Sequence, residues 1–430
     1  LNSTETTLLA HVAGLKEQQL AWTRELIAIP TVNPYSGDDS AGCEEAGQAW
    51  IEQRMSEMGG EVSRVAVPSD VYEQGGTIGL KDRAWDGREN VVGRWTLGTG
   101  DGPTILINNH MDTVGTDGMT ISPFDPVVKD GRIYGRGSSD TKGNTVMGLV
   151  AVESLLQCSE RLNGRLIFES VVDEECNGAG AGTLACCLAG IRGDVAIVLD
   201  GAGGRVLNGC NGIATAKLIV RGRAGHNAVG NSISAIDKAF VVKQAIDRFG
   251  QELLSNYPMC RINIGVMRAG TLPSIVPGQA ELQVNMSYPV EDALAGEQLT
   301  GRWGGEVFRA RFESAIAALA DADPWFGEKP VEVSWIKDSY PYLWDENDPV
   351  LRTAAAAASH VHGKDIPIGP MPAWFDGSHL ARQLNIPTFS LGHGVPGAPH
   401  TPDEYAVLDD LYLGAQTVAL TLHRLLAQGV

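Results

Sequence analysis

The chain has 430 residues, 43% hydrophobic and 20% charged, an ordinary globular composition with length for a large core and more than one domain. Its formal charge is −19, which argues against nucleic acid and anionic membranes as partners. Seven cysteines at irregular spacing, with Cys186 and Cys187 adjacent in an apolar stretch, do not form a disulfide framework and point to buried thiols in a reducing compartment. The first ten residues are polar without a basic start, so no signal peptide is expected. No apolar run approaches the roughly 20 residues of a membrane helix. A cytoplasmic location is expected.

Residues 15–29 have helical periodicity stopped by Pro30, and residues 46–58 give a second amphipathic helix closed by Gly59-Gly60. Strands are predicted at 62–67 and 90–95, on either side of a long polar loop at 70–87. The apolar run Ile105-Leu106-Ile107 then leads into Asn108-Asn109-His110-Met111-Asp112. Residues 126–134 predict a hairpin turning at Asp130-Gly131. A helix at 144–156, a strand at 165–172, a helix at 183–189 and a strand at 194–199 follow. Alternating apolar strands and helices indicate an α/β sheet covered on both faces.

The pattern changes near Ile213. A strand at 215–221 and a helix at 232–249, with Ile233, Ile236, Phe240 and Ile246 on one face, come first. Strands at 261–267 and 280–288, a helix at 311–319 and a strand at 331–337 follow. This β-α-β-β-α-β order is the ferredoxin-like arrangement. The expected organisation is a discontinuous α/β catalytic domain with a mixed sheet (residues 1–212 and 340–430) and an inserted α+β lid or dimerisation domain (residues 213–339). The tail adds a helix at 351–359, a strand at 387–391 and a helix at 409–425.

The candidate chemistry lies after the predicted strands, at the edge where α/β sheets build their sites. His110 offers an imidazole nitrogen suited to zinc or a similar ion. Asp112 is placed to accept its other ring N–H and fix the tautomer. Asp140, after a Gly-rich turn, has two oxygens and can bridge two ions about 3.5–4 Å apart. Glu175 with His400 completes one ion, and His110 with Asp200 the other. Glu174 is left without a metal. A free carboxylate beside two cations suits a general base that takes a proton from the bridging water and returns it to the leaving nitrogen.

These segments resemble the M20 family of metallopeptidases and amidohydrolases, which includes glutamate-type carboxypeptidases, acetylornithine deacetylase, succinyl-diaminopimelate desuccinylase and aminoacylases. The resemblance rests on His110-Met111-Asp112, the Gly135–Gly143 stretch around Asp140, Asp173-Glu174-Glu175, Asp200-Gly201, Gly225-His226 and His400-Thr401-Pro402-Asp403-Glu404-Tyr405. It implies a two-domain hydrolase of amide C–N bonds in a small molecule. It also implies His110, Asp140, Glu175, Asp200 and His400 as ligands to two divalent ions (zinc, cobalt or manganese) and Glu174 as base. In similar enzymes the counterpart of His226 reaches an active site, often the partner subunit's, and stabilises the developing oxyanion. A homodimer or larger homo-oligomer is therefore expected.

One departure bears on substrate. Relatives that bind an amino-acid carboxylate resemble Pro-Asn-x-x-Pro followed by Asp-x-Arg, where this chain has Ser274 and Ser287 in place of the Asn and Arg. Serine cannot supply bidentate carboxylate recognition. Arg261 or Arg268 is a candidate replacement, and His393 a candidate substrate contact. His360, His362 and His379 are expected to be structural or surface. Three other readings compete: release of ammonia from an aromatic amine such as a nitroanthranilate, dipeptidase or carboxypeptidase activity, and a non-catalytic metal-binding role. An intact Glu174 argues against the last. There is no Gly-x-Ser-x-Gly elbow, dinucleotide loop or Walker motif.

Overall fold

A computed structural model describes residues 1–38, 42–158, 162–201, 203–395 and 398–428. Its centre is a parallel array of four apolar strands, in the spatial order Gly164–Val171, Thr104–His110, Val195–Val198 and Thr388–Ser390. Asn90–Leu97 and Glu61–Val65 extend one side antiparallel. Val206–Cys210 extends the other, pairing with both Tyr342–Leu343 and Ile368–Met371. The result is a mixed sheet.

Helices bury both faces, which is why the central strands are apolar almost throughout. Ile105, Ile107, Phe168 and Ile197 pack into one layer with Val146, Leu149 and Val150 of helix Lys142–Gln157. Leu106, Ile167, Ala196 and Val198 pack into the other with Cys186 and Leu380. Helix Lys142–Gln157 lies against the C-terminal helix Leu408–Gln428 and is buried over most of its length, with a largely apolar middle from Val146 to Val152.

Residues of the second pattern form a smaller four-stranded antiparallel sheet ordered Ile262–Ala269, Gln279–Tyr288, Gly212–Arg221 and Glu332–Ser339. That is the 4-1-3-2 order of a ferredoxin-like fold, read from the opposite edge. Helices Ala235–Asn256 and Glu306–Ala317 cover one face over Leu218, Leu282 and Val284, with Phe249, Phe308 and Phe312 between the layers. This cluster is separate from the clusters of the large sheet.

Three expectations change. Phe240 was expected on the packed face of its helix but is 54% exposed. Burying a Phe contributes about 1.5–3 kcal/mol, yet the buried stripe runs Ala239, Val242, Ile246, Phe249 and Leu253. Together these residues set the helix rotation against Phe240. The strand Val206–Cys210 and the helices Ser3–Gly14 and Val290–Thr300 are additional elements. The polar loop at 70–87 contains a short helical turn, Val71–Gln74.

The hairpin forms as expected. Val127–Lys129 and Arg132–Tyr134 pair around Asp130 and Gly131, at φ 51° and 73°, the two left-handed positions a two-residue hairpin turn requires. Tyr405–Val407 adds a third strand, anchoring the segment that carries His400. All seven cysteines are unpaired. No helix among the described residues is long and apolar enough to cross a membrane.

Candidate metal centre

Because the four central strands are parallel, their C-terminal ends meet at one edge. His110 ends one strand, and Asp112 lies two residues beyond. Asp173, Glu174 and Glu175 follow Gly164–Val171, Asp200 follows Val195–Val198, and the loop after Thr388–Ser390 leads to His400. Asp140 stands just before helix Lys142–Gln157. The fold thereby gathers seven of the eight candidate site residues, from sequence positions nearly 300 apart.

Asp140 sits between the two histidines. Its Oδ1 is 3.2 Å from His110 Nε2 and its Oδ2 is 3.3 Å from His400 Nε2. His400 Nε2 is also 2.9 Å from Glu175 Oε1, and His110 Nε2 is 4.0 Å from Asp200 Oδ2. Donor atoms of His110, Asp140 and Asp200 lie within 4.8 Å of one another, as do those of Asp140, Glu175 and His400. Asp140 belongs to both triads. His110, Glu174 and Glu175 form a third such group.

His110 Nδ1 donates to the carbonyl oxygen of Asp112 at 2.9 Å, while the Asp112 carboxylate is 3.6 Å away. A carbonyl only accepts, so Nδ1 carries a proton, and in the neutral imidazole the Nε2 lone pair faces Asp140 and Asp200. The nearer partner of Nδ1 is the backbone of Asp112 rather than its side chain. The Asp112 side chain accepts the backbone N–H groups of Glu174 (3.2 Å) and Glu175 (3.0 Å) and the Asn33 amide (2.8 Å). It fixes the turn that presents both glutamates.

Buried charge holds that turn from below. Asp173 Oδ1 accepts from Arg83 (2.5 Å), Arg88 (2.7 Å) and Asn33 (3.1 Å), and Arg88 also grips Glu44 through two nitrogens. Breaking one partner of such a buried network costs about 3–5 kcal/mol. Gly178 folds back so closely that a Cβ there would lie 1.9 Å from the Asp173 carbonyl oxygen, so the glycines at 178, 180 and 182 that follow the acidic residues begin in a tight, packed turn. Glu404 joins the two remaining ligand loops. Its carboxylate accepts from Arg136 (2.6 Å) and from the backbone N–H groups of Ser139 (2.9 Å) and Asp140 (3.0 Å).

The electrostatics are those of crowded carboxylates. Burial pushes Asp200 up to about 7, reinforced by Asp140. Burial likewise raises Glu174 well above the ordinary range; His110 opposes it, and Glu175 and Asp200 add to it. The Glu175 carboxylate, against the opposing effect of burial, drives His400 up to about 11. Burial disfavours charge on His110, but Asp112 and Asp140 outweigh it, and its pKa rises well above normal. Without a cation the cluster retains protons to offset its own repulsion. Imidazole and carboxylate donors at this spacing, one carboxylate shared between two triads, fit two divalent ions.

A cavity of about 750 Å³ opens on the cluster. Asp140, Glu174, Glu175, Asp200 and His400 line one side; Asn285 and Lys337 of the smaller domain line another; Leu207, Met371 and Trp374 form an apolar wall. His226 is not brought in. It is exposed on a two-stranded ribbon, paired with Ile275, and does not line the cavity. His393 is buried beneath the loop and stacks on His362, rather than meeting substrate. His379 is buried between Tyr340 and the Ala179 carbonyl, a structural role.

The candidate replacements for the missing Arg also lie elsewhere. Arg268 pairs with Glu281, and Arg261 donates to the Pro258 and Cys260 carbonyls. The Ser287 hydroxyl accepts the Arg261 backbone N–H. The residues that sequence reasoning missed are Asn33, Glu404 as a loop clamp, and Lys337. Glu404 lay within a quoted motif, whereas Asn33 and Lys337 carried no local signal.

A three-carboxylate, two-histidine cluster at the C-terminal edge of a mixed α/β sheet, with a further glutamate beside it and an inserted ferredoxin-like domain across the cleft, defines a metal-dependent hydrolase. Residues 106–424 match peptidase family M20/M25/M40, and the chain belongs to that family. It is 26% identical over 451 residues to N-formyl-4-amino-5-aminomethyl-2-methylpyrimidine deformylase of Halalkalibacterium halodurans, covering 96% of this chain and 95% of that one. It is 28% identical over 346 residues to succinyl-diaminopimelate desuccinylase of Methylibium petroleiphilum, covering 72% and 82%. Among solved structures, a dinuclear metal-binding peptidase of Bacillus subtilis superimposes with a TM-score of 0.61 at 17% identity, covering 96% and 99% of the two chains.

Proposed function

We propose that the protein removes an acyl group from the nitrogen of a small molecule by hydrolysing an amide C–N bond. His110, Asp140 and Asp200 would hold one divalent ion, and Asp140, Glu175 and His400 the other, with zinc, cobalt or manganese as the candidates. The observation that carries this reading is Asp140, which turns a different oxygen to each histidine. Relatives named as a deformylase and a desuccinylase support acyl removal over ammonia release.

When bound, two such ions lower the pKa of water towards about 7 and polarise the scissile carbonyl. The chain's own residues do the rest. Glu174 faces the cavity with a carboxyl that burial makes receptive to a proton. It takes the proton of the attacking water and delivers it to the nitrogen as the C–N bond breaks. Asp112 keeps Glu174 and Glu175 at fixed positions through their amides, and Leu207, Met371 and Trp374 exclude solvent from the acyl or amine side. A panel of N-acylated amines and amino acids, assayed on metal-loaded protein with and without chelator, tests the reading. Chelator-sensitive release of free amine is expected; release of ammonia from an aromatic amine, or no turnover by protein holding two ions, would overturn it.

Residues 213–339 would serve as lid and dimer contact, with residues 1–212 and 340–430 as the catalytic unit. His226, exposed and not among the residues lining its own cavity, would complete the site of a partner subunit as an oxyanion donor. His226→Ala and Glu174→Gln variants should each be inactive alone. Mixed and allowed to exchange subunits, they should recover activity, because one site then has both groups. A monomer in sedimentation, or no recovery on mixing, removes the shared site.

A further inference from the structure

Lys337 lines the cavity, and the hydrolytic chemistry above does not use it. It is 7% exposed and lines the same cavity as Glu174 and Asp200. Among the described residues its ammonium makes no hydrogen bond and no ion pair within 4.0 Å. Its nitrogen lies over the Trp374 ring, 5.0 Å from the ring centroid. The indole is fixed by donation to the Tyr340 carbonyl at 3.1 Å.

A buried cation without a hydrogen-bonded partner is costly, and proteins retain one where a ligand supplies the partner. The backbone is shaped to aim it. On a regular strand Lys337 would share a face with Trp335, which packs on the helix-covered core. A bulge between them breaks the register: Trp335 pairs with Ala216, and Lys337 pairs with Thr215. Ala216 is in the buried core, whereas Thr215 is bonded to Asn285, which lines the cavity. The extra residue thus turns Lys337 from the core face to the cavity face.

We infer that Lys337 is a specificity-determining residue that pairs with an anionic substituent of the substrate, supplying from the last strand of the smaller domain the positive charge that Ser287 lacks. The substrate class is then an N-acylated amine bearing a carboxylate or similar oxyanion close to the scissile amide, with its remaining apolar part against Trp374 and Met371. An ammonium is a point charge that tolerates varied approach, so selection is for charge more than for the planar geometry a guanidinium would demand. This inference rests on the amide-hydrolase reading.

Matched pairs test it: N-formyl and N-acetyl phenylalanine against N-formyl and N-acetyl phenethylamine, which lack only the carboxylate, and the same for tryptophan and tryptamine. The wild-type protein should prefer the carboxylate member. Lys337→Met should lose about 10- to 100-fold in kcat/KM for that member, mostly through KM, and leave the neutral member unchanged. Lys337→Arg should restore part of the preference. Thermal midpoints of all three proteins report folding; Lys337→Met should not be lower, since it removes an unpaired buried charge.

Two results overturn the inference. One is equal cleavage of both members by the wild type. The other is a Lys337→Met loss shared by both members and carried by kcat with a moved acid limb of its pH profile, which would make Lys337 a positioning partner of Glu174. If no amide of any kind is cleaved by protein holding two ions, the hydrolase reading itself fails. Lys337 is then judged by whether N-acetyl phenylalanine raises the thermal midpoint of the wild type but not of Lys337→Met, and equal shifts reject it.

Discussion

Glu174→Gln should bind two metal ions as the wild type does and lose about 10³-fold or more in turnover, within or above the 10²–10⁴-fold span typical of a general acid–base group. Gln keeps the volume and hydrogen-bonding reach of Glu but cannot accept and return a proton. Metal content separates this role from its rival. Glu174 also groups with His110 and Glu175 closely enough to be a ligand. A ligand's loss would lower metal stoichiometry and activity together, whereas loss of a base removes activity alone. Stability gives a second check. Burial, Glu175 and Asp200 all disfavour a charged Glu174, so the neutral Gln should leave the thermal midpoint unchanged or higher. A variant that turns over at the wild-type rate ends the base assignment, and one that loses an ion converts Glu174 to a ligand.

Much of this site is legible because of where chemistry sits in a parallel sheet. His110, Glu175 and Asp200 each lie at or just after an apolar run, and a run that ends in His110 or Asp200 announces both the strand and what its end presents. The order of strands and helices likewise carries the ferredoxin-like arrangement, since alternation and helical periodicity are local signals. What escapes is whatever depends on a partner distant in sequence. Nothing near Asn33 shows that it will bind Asp112 and Asp173, which lie 79 and 140 residues further on. The carboxylate of Asp112 is drawn to two backbone N–H groups whose position depends on the fold of the acidic turn.

Parity errors have the same origin. Phe240 falls on the outer face because small Ala239 and Ala235 let the helix approach the sheet there, a preference that an apolar count does not weigh. Lys337 escapes because alternation assigns it the face of Trp335, and only the bulge reverses that. His393 resembles a site residue between Gly392 and Gly394, yet it is buried and stacks on His362. The strand Val206–Cys210 has Asn and Gly in its interior, residues disfavoured in strands, and is stabilised by pairing on both sides.

Asp140→Asn should have the broadest effect of any single substitution in the cluster. Asn has one acceptor oxygen and an NH₂ group, so it cannot turn an acceptor toward both His110 and His400 as Asp140 does. Both ion sites share this residue, so both should weaken, with turnover lost and bound metal falling towards zero. Asp200→Asn touches only the His110 triad and should leave the ion at Glu175 and His400. The comparison is made by elemental analysis after gel filtration. Thermal stability should follow metal content, because ions that bind only the folded state stabilise it by about 2.7 kcal/mol when free metal is 100-fold above Kd. Chelator should therefore lower the thermal midpoint of the wild type and leave that of Asp140→Asn unmoved. The apo protein should remain folded, since its ligand loops are also tied by Glu404, Asp112 and Asp173 through bonds that need no metal. Two ions retained by Asp140→Asn would mean that Asp140 is not shared, and the two triads would have to be drawn again with Glu174 as a ligand.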